Sequence, residues 1–195
     1  MAIVVVTILM TAIAPVIVLS VASRVQSRRV EQASQAARAY IDGLRTGAIE
    51  APITKIVGQN QLFNNVAAPN GGATNLVNLY CVDLDDLDKD GISLGDPTDG
   101  CTVGSSKDLA IQAFRSVTAT SVDPNDGYRL GLRVYRADAF KDEGPLQKND
   151  PGKKVTQSTF TAGIGASKAP LVEMTTEIVT SETDYRNFCS RLSGC

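Results

Sequence analysis

The beginning of the chain constrains its fold more than any other part, because it opens with a long uncharged run. Ala2 to Ala22 contains no ionisable side chain, and the first one is Arg24. A helix of this length is about 32 Å long, at about 1.5 Å per residue, and the hydrocarbon core of a bilayer is about 30 Å thick. The run therefore predicts a membrane-spanning helix, in which Pro15 is tolerated when neighbouring groups satisfy the carbonyl that it frees.

Apolar side chains then recur at intervals of three to five between Arg24 and Arg45. This spacing predicts that the helix continues beyond the membrane with one apolar face, made of Val25, Val30, Ala33, Ala37, Tyr40 and Leu44. Gly43 and Gly47 are suitable places for it to end. We therefore expect two units: residues 1–46 as a helix with a membrane half and an amphipathic half, and residues 47–195 as a globular, β-rich head domain.

The two-part helix resembles the N-terminal helix of type IV pilins and pseudopilins. Ile13-Ala14-Pro15 falls where that family often has an apolar pair and its proline. The resemblance covers the helix and implies a pilin-like fold with a small β-rich head. It also implies that the apolar half contacts inner-membrane lipid before assembly and other pilin or pseudopilin subunits afterwards, through residues that include Ile3, Val6, Met10 and Pro15.

That family has a signature that this sequence lacks, namely a glycine before a cleavage point and then a glutamate in the apolar segment. Both residues would lie upstream of Met1, so the resemblance implies a natural chain that begins earlier. The alternative is that Met1 is the true start of an ordinary signal-anchored protein. A cleaved signal peptide fits less well, because the run lacks a basic n-region and is longer than a usual h-region.

The cysteines predict the compartment of the head. The chain has no histidine and no CxxC pair, so a zinc site is not expected. Two disulfides in an oxidising space fit better, and we expect the pairs that close local loops, Cys81–Cys101 and Cys189–Cys195.

Three arginines after the apolar run, Arg24, Arg28 and Arg29, favour a cytoplasmic position by the positive-inside rule. We give the cysteines more weight, and a basic leader upstream of Met1, as pilins have, would reverse the charge argument. The chain is therefore expected to be a single-pass inner-membrane protein with its head in the periplasm or exterior.

The stretch from Cys81 to Cys101 is acidic, with one lysine and seven aspartates: Asp83, Asp85, Asp86, Asp88, Asp90, Asp96 and Asp99. Asp86-x-Asp88-x-Asp90-Gly91 matches the start of a calcium loop, in which alternating carboxylates converge on the ion. The glutamate that should close such a loop is replaced by Pro97. Two interpretations stay open. One is a solvated loop closed by a disulfide. The other is a calcium site formed by Asp86, Asp88 and Asp90 with a carbonyl near Ile92, and with Asp96 or Asp99 in place of the glutamate.

The rest of the head predicts an antiparallel sheet. Its clearest part is a hairpin from Ser105–Thr120 and Tyr128–Arg136, joined by a turn at Asp123–Gly127. The remaining expectations are strands at Asn75–Val82, Val155–Thr161 and Leu171–Val179, a short helix near Ile53–Val57, a loop over Ala137–Lys154, and a helix or loop at Asp184–Cys195. A long helix followed by several antiparallel strands is the α+β class.

Two segments of the predicted hairpin carry a narrower resemblance. Tyr128 to Phe140 and Lys107 to Val117 together resemble the cyanobacterial pseudopilins associated with hormogonium polysaccharide secretion. That resemblance implies a role in exporting polysaccharide during gliding, with the polysaccharide as a partner.

Residues that would carry catalysis are scarce. Without histidine, Ser-His-Asp and Cys-His sites cannot be built, and the sequence has no Walker loop, so we do not expect an enzyme. Carboxylate pairs for glycoside hydrolysis stay open. The net charge of −2 gives no electrostatic reason to expect nucleic acid.

Three arginines of the predicted hairpin, Arg129, Arg133 and Arg136, are expected on a solvated strand face. The alternative is that they contact an acidic partner or polysaccharide. For the whole chain, the leading hypothesis is a structural subunit, either a pseudopilin or a minor pilin. The alternative is a single-pass, membrane-anchored extracellular binding or adhesion protein that does not polymerise.

Overall fold

The computed structural model of the chain describes residues 2–57, 65–76, 79–84, 101–117, 123–157 and 166–191, with the side chains of the first helix from residue 17 onward. The class is α+β, as predicted. The helices are α1 (Ala2–Thr46), α2 (Ala73–Leu76) and α3 (Tyr185–Arg191), and the strands are β1 (Lys55–Val57), β2 (Tyr80–Val82), β3 (Leu109–Val117), β4 (Tyr128–Arg136) and β5 (Val172–Ile178).

The five strands form one sheet in the order β1-β3-β4-β5, and β2 also pairs with β3. β2, β4 and β5 pair with their neighbours antiparallel, whereas β1 runs parallel to β3, with Lys55 opposite Arg115. The expectation of an antiparallel sheet is therefore wrong in one respect, because the sheet is mixed. The parallel pair arises because the chain leaves α1 and enters the sheet beside the end of β3.

The predicted hairpin is confirmed. β4 has the expected bounds, and β3 is shorter than Ser105–Thr120. A 3₁₀-helix at Pro124–Asp126 begins at Asp123, whose carboxylate accepts the N–H of Asn125 at 2.9 Å. β5 occupies a segment predicted to be a strand, and α3 lies in the segment for which either a helix or a loop was predicted.

Three local predictions are wrong within the part of the chain that the structure describes. The residues near Ile53–Val57 form strand β1 rather than a helix, because they pair with β3. Since β3 is distant in sequence, no local pattern indicates this pairing. Asn75–Val82 begins in the short helix α2 and is a strand only from Tyr80. Val155–Gln157 is not a strand, and the remainder of that predicted strand lies outside the described residues.

The main core lies between α1 and one face of the sheet. The helix contributes Ala33, Ala36, Ala37, Tyr40, Ile41 and Leu44, and the sheet contributes Leu109, Ile111, Tyr128, Leu130, Leu132, Val134 and Ile178. A second core covers the opposite face of the sheet, where Tyr135 and Ala110 pack against Phe140 and Leu146. The sheet is thus buried on both faces, by a helix on one and by connecting segments on the other.

α1 ends just before Gly47, one of the two glycines at which it was predicted to end. This glycine has a φ of 74°, a left-handed conformation that glycine adopts without steric cost, and its N–H donates to the Leu44 carbonyl at 3.3 Å. The N–H of Ile49 then donates to the Gly43 carbonyl at 3.1 Å. A Cβ on Gly43 would lie 2.5 Å from the Ile49 side chain, so that glycine permits the chain to fold back onto the helix.

Candidate functional site

The candidate site begins with the stretch of α1 that we call the exposed apolar segment, residues 17–25. Its large apolar side chains are exposed by 43 to 67 %: Ile17, Val18, Leu19, Val21 and Val25. Successive helix residues differ by about 100° around the axis, so residues 17, 18, 19 and 21 are spread over about 200° of the helix surface. An apolar arc this wide is stabilised where lipid or other helices cover it, and removing one such side chain from water is worth about 1.5–3 kcal/mol.

The second half of α1 behaves in the opposite way. Ala33 and Ala37 are fully buried, and the Tyr40 ring meets the Tyr80 ring edge-to-face at 4.8 Å. Burial and two neighbouring tyrosines raise the pKa of Tyr40, so it packs as a neutral ring. The head is therefore fixed to this half of the helix, and the other half extends from it.

The predicted assembly residues Ile3, Val6, Met10 and Pro15 lie on the backbone of α1, which continues through the proline. Their side chains are outside the described residues. Within the part of the chain that is described, no helix has both the length and the apolar character needed to cross a membrane.

Gln26 occupies the face of α1 where Val25 was expected. Gln26 is buried, and its Nε2 donates to the Oε1 of Gln157. The Nε2 of Gln157 in turn donates to the Ala166 and Ala169 carbonyls at 2.9 and 3.0 Å. The sequence did contain an indication, because residues 26, 30, 33, 37, 40 and 44 are separated by regular steps of four and three.

Two interactions join the ends of the acidic stretch. The predicted Cys81–Cys101 disulfide is present, with 5.5 Å between the Cα atoms. Asp108 provides the second interaction, since its buried carboxylate accepts the N–H of Leu84 at 3.3 Å and that of Thr102 at 3.0 Å. The chain segments that enter and leave the stretch are therefore held together at both a covalent and a hydrogen-bonded contact.

Asp108 was not among the predicted site residues. Burial raises the pKa of its carboxyl, and the nearby Asp83 charge acts in the same direction, while the N–H donors of Thr102 and Leu84 oppose them. A polar residue directly before the alternating strand β3 was the available indication, but nothing local shows that its partners lie across the acidic stretch.

The residues proposed to hold calcium lie outside the described residues: Asp86, Asp88, Asp90, Ile92, Asp96 and Asp99. In the portions that are described, no group of three or more metal-ligating side chains comes together. Cys189 is disulfide-bonded, and its predicted partner Cys195 is beyond the described residues, so that pairing stays a prediction.

Two of the three arginines of β4, Arg133 and Arg136, are buried, whereas the Arg129 side chain is 39 % exposed and pairs with Glu177. Arg133 is fully buried and its Nε donates to the Oε1 of Glu173, directly opposite on β5, at 3.1 Å. Its Nη1 donates to the Val66 carbonyl at 3.0 Å. Arg136 is 5 % exposed and binds Asp138. The expectation of solvation is therefore wrong for both. Residues 65–76 and 137–146 cover the face that holds Arg133. Arg136 lies two residues after Val134 and so belongs to the opposite face, which packs against α1.

A cleft of about 530 Å³ opens where α1 ends, between that end and the beginning of β4. Leu44, Ile49, Tyr128 and Ile178 form its apolar lining, and Arg45, Glu50, Asn125 and Thr180 supply charged and polar atoms. The lining therefore combines apolar side chains with polar and charged ones.

No protein-family model, curated protein or solved structure matches this chain.

Proposed function

We propose that this chain is a structural subunit, a pseudopilin or minor pilin, of a filament like a type IV pilus or a type II secretion pseudopilus. The observation that carries the proposal is the contrast within α1 between the exposed apolar segment, residues 17–25, and the following half, which is packed into the head. Such a helix gains free energy wherever lipid or sister helices cover its exposed half.

In this proposal the subunit is stored in the inner membrane and then moves into the filament, where helix contacts replace lipid contacts. Pro15 has no N–H to donate to the Thr11 carbonyl, so the helix can bend there during the transfer. The head lies in the periplasm or exterior, a location supported by the Cys81–Cys101 disulfide, since such bonds persist in oxidising compartments. The resemblance of the β3–β4 hairpin supports a role in polysaccharide export and gliding.

Photo-crosslinking in cells tests the assembly step. A photoreactive amino acid at Val18, which is 67 % exposed, should join subunits into a ladder of dimers and higher oligomers. The matched control places the same group at Arg38, an exposed position on the packed half of the helix, where a ladder is not expected.

If Val18 yields only monomer and lipid adducts while the head remains folded, the chain does not polymerise. It would then be a membrane-anchored binding or adhesion protein. Loss of exported polysaccharide after deletion of the gene would support the secretion role separately, and unchanged export would remove that part of the proposal.

A further inference from the structure

The ion pair at the end of β4 leaves one donor unused. The Nε of Arg136 donates to Asp138 Oδ1 at 2.7 Å, and Nη2 donates to Oδ2 of the same carboxylate. The third nitrogen, Nη1, is buried and has no hydrogen-bond partner within the described part of the chain. A guanidinium nitrogen buried without a partner is unfavourable, and almost all buried polar groups are hydrogen-bonded. This geometry points to a ligand oxygen at Nη1.

A second guanidinium, that of Arg29 on α1, lies within range of the charges of the same pair. Burial and the Arg136 charge lower the pKa of Arg29, and the Asp138 charge opposes them. Two cations and one carboxylate therefore act on one another, with a positive charge in excess. Arg24 and Arg28 are exposed on the neighbouring turns of α1 and increase the attraction for an anion.

The position of this cluster along α1 suggests the source of the anion. Arg29 follows Ala22 by seven residues, which places its backbone about 10 Å beyond the apolar run. The polar head-group layer of a bilayer is about 5 to 8 Å thick on each side, and an arginine side chain can extend towards it. The Arg29 side chain, extended towards the apolar run, would therefore reach the level of the lipid phosphates if that run crossed the membrane.

We propose that Arg136 Nη1 and the Arg29 guanidinium bind one phosphate oxyanion, provided either by an anionic phospholipid head group or as free phosphate. Arginine suits this ligand because its planar fork donates to two phosphate oxygens at once. Nη1 is shielded from water, so binding requires the side chains around it to move. The site does not depend on filament assembly, and only its lipid source presumes the membrane location proposed above.

The test uses the full chain in neutral detergent micelles and measures its thermal unfolding midpoint. Phosphatidylglycerol, phosphatidylcholine and inorganic phosphate are added separately at constant ionic strength. At a hundredfold excess over Kd, the bound oxyanion should raise the midpoint by about 5 °C or more. Arg29→Gln should abolish this shift, and Arg38→Gln, which removes one exposed charge from the same helix, should keep it.

The arms also separate the two sources. A shift with phosphatidylglycerol alone assigns the site to a lipid head group, and a shift with inorganic phosphate as well assigns it to the oxyanion itself. Arg136→Lys provides a second variant, since it keeps a cation beside Asp138 and removes the Nη1 donor, so it should lose the shift. The proposal is overturned if neither anion raises the midpoint, if Arg29→Gln retains the shift, or if Arg38→Gln loses it equally.

Discussion

Asp108 holds together the two segments that enter and leave the acidic stretch, and it does so at an electrostatic cost. Its carboxylate receives two backbone N–H groups yet is almost completely buried. Burial disfavours the charged form, whereas hydrogen bonds to the charged form favour it. Burial is the larger effect, so the pKa of Asp108 is raised above its ordinary value of 3.8.

The direction of this shift predicts how the stability of the head changes with pH. Between pH 3.8 and the raised pKa, the folded state binds a proton that the unfolded state does not. The contribution of Asp108 to the unfolding free energy is therefore fully present below 3.8 and is lost as the pH rises through the raised pKa. Asp108→Asn removes this dependence, and at neutral pH it costs about 1–3 kcal/mol because one backbone N–H loses its acceptor.

Thermal unfolding of the wild-type and Asp108→Asn chains over a series of pH values checks this prediction. The gap in stability between them should widen on acidification, since only the wild type gains the proton. Asp142→Asn, which removes an exposed carboxylate, shows what loss of charge alone does. A gap that narrows as the pH falls would mean that the hydrogen bonds outweigh burial.

Arg133 shows why some residues of the head could not be placed from sequence. Alternation along β4 correctly separated Leu130, Leu132 and Val134 from Arg129 and Arg133. The same pattern says only that the arginine face is polar, and not whether it is solvated. Burial of Arg133 depends on Glu173 and on carbonyls near Val66, which are far away in the chain, so no local pattern indicates it.

Among the elements, those with a strong local pattern were predictable and those stabilised by distant partners were not. Three elements have a clear local pattern, and each was found close to its predicted bounds: residues 2–46, β4 and β5. β1 has only three residues, and its edge pairing with β3 is supported by an N–H of Arg115 that reaches the Thr54 carbonyl at 3.0 Å. The apolar run was evident from composition, whereas the proximity of Arg29 to Arg136 is apparent only in the folded chain.

The acidic stretch is the element whose ligand is most open to experiment. Seven carboxylates between Cys81 and Cys101 repel one another at neutral pH, and salt screens this repulsion only in part. Because the disulfide and Asp108 hold its ends, the stretch cannot extend freely to relieve it. A calcium ion bound by Asp86, Asp88 and Asp90 would relieve it, and at a hundredfold excess over Kd would stabilise the folded chain by about 2.7 kcal/mol.

Thermal unfolding in EDTA, in calcium and in magnesium tests this proposal. Calcium alone should raise the midpoint, and Asp88→Ala should remove the increase. Asp142→Ala is the matched control, because it deletes a carboxylate outside the stretch and should leave the calcium effect intact. Equal midpoints in the three solutions would favour the solvated loop.

At the scale of the whole molecule, the boundary between helix and head does not coincide with the boundary of the core. The sequence divides at residue 46, where α1 ends. The core, however, includes Tyr40, Ile41 and Leu44, which are 5, 7 and 8 % exposed. Removing the apolar run, residues 2–22, should therefore be harmless to the head, and removing the whole helix should not.

We expect residues 23–195 to fold as a soluble domain and residues 47–195 to fail. Each large apolar side chain that α1 buries is worth about 1.5–3 kcal/mol, so Tyr40, Ile41 and Leu44 together approach the total stability of about 5–15 kcal/mol that is usual for a domain. Without α1, the exposed sheet face would also present Leu130, Leu132 and Val134 to water. Chemical denaturation followed by circular dichroism should show one cooperative transition for the longer fragment only.

A pair of substitutions in the longer fragment separates packing from the mere presence of the helix. Leu44→Ala should cost about 2–5 kcal/mol, because it leaves a cavity in the core. Arg38→Ala should change the stability by about 0.5 kcal/mol or less, since its side chain is exposed on the other side of the same helix. If residues 47–195 unfold with the same cooperativity and midpoint as residues 23–195, α1 contributes nothing to the core. In that case the second half of α1 would add no stability to the head. The division of α1 on which the proposed function depends would then have to be abandoned.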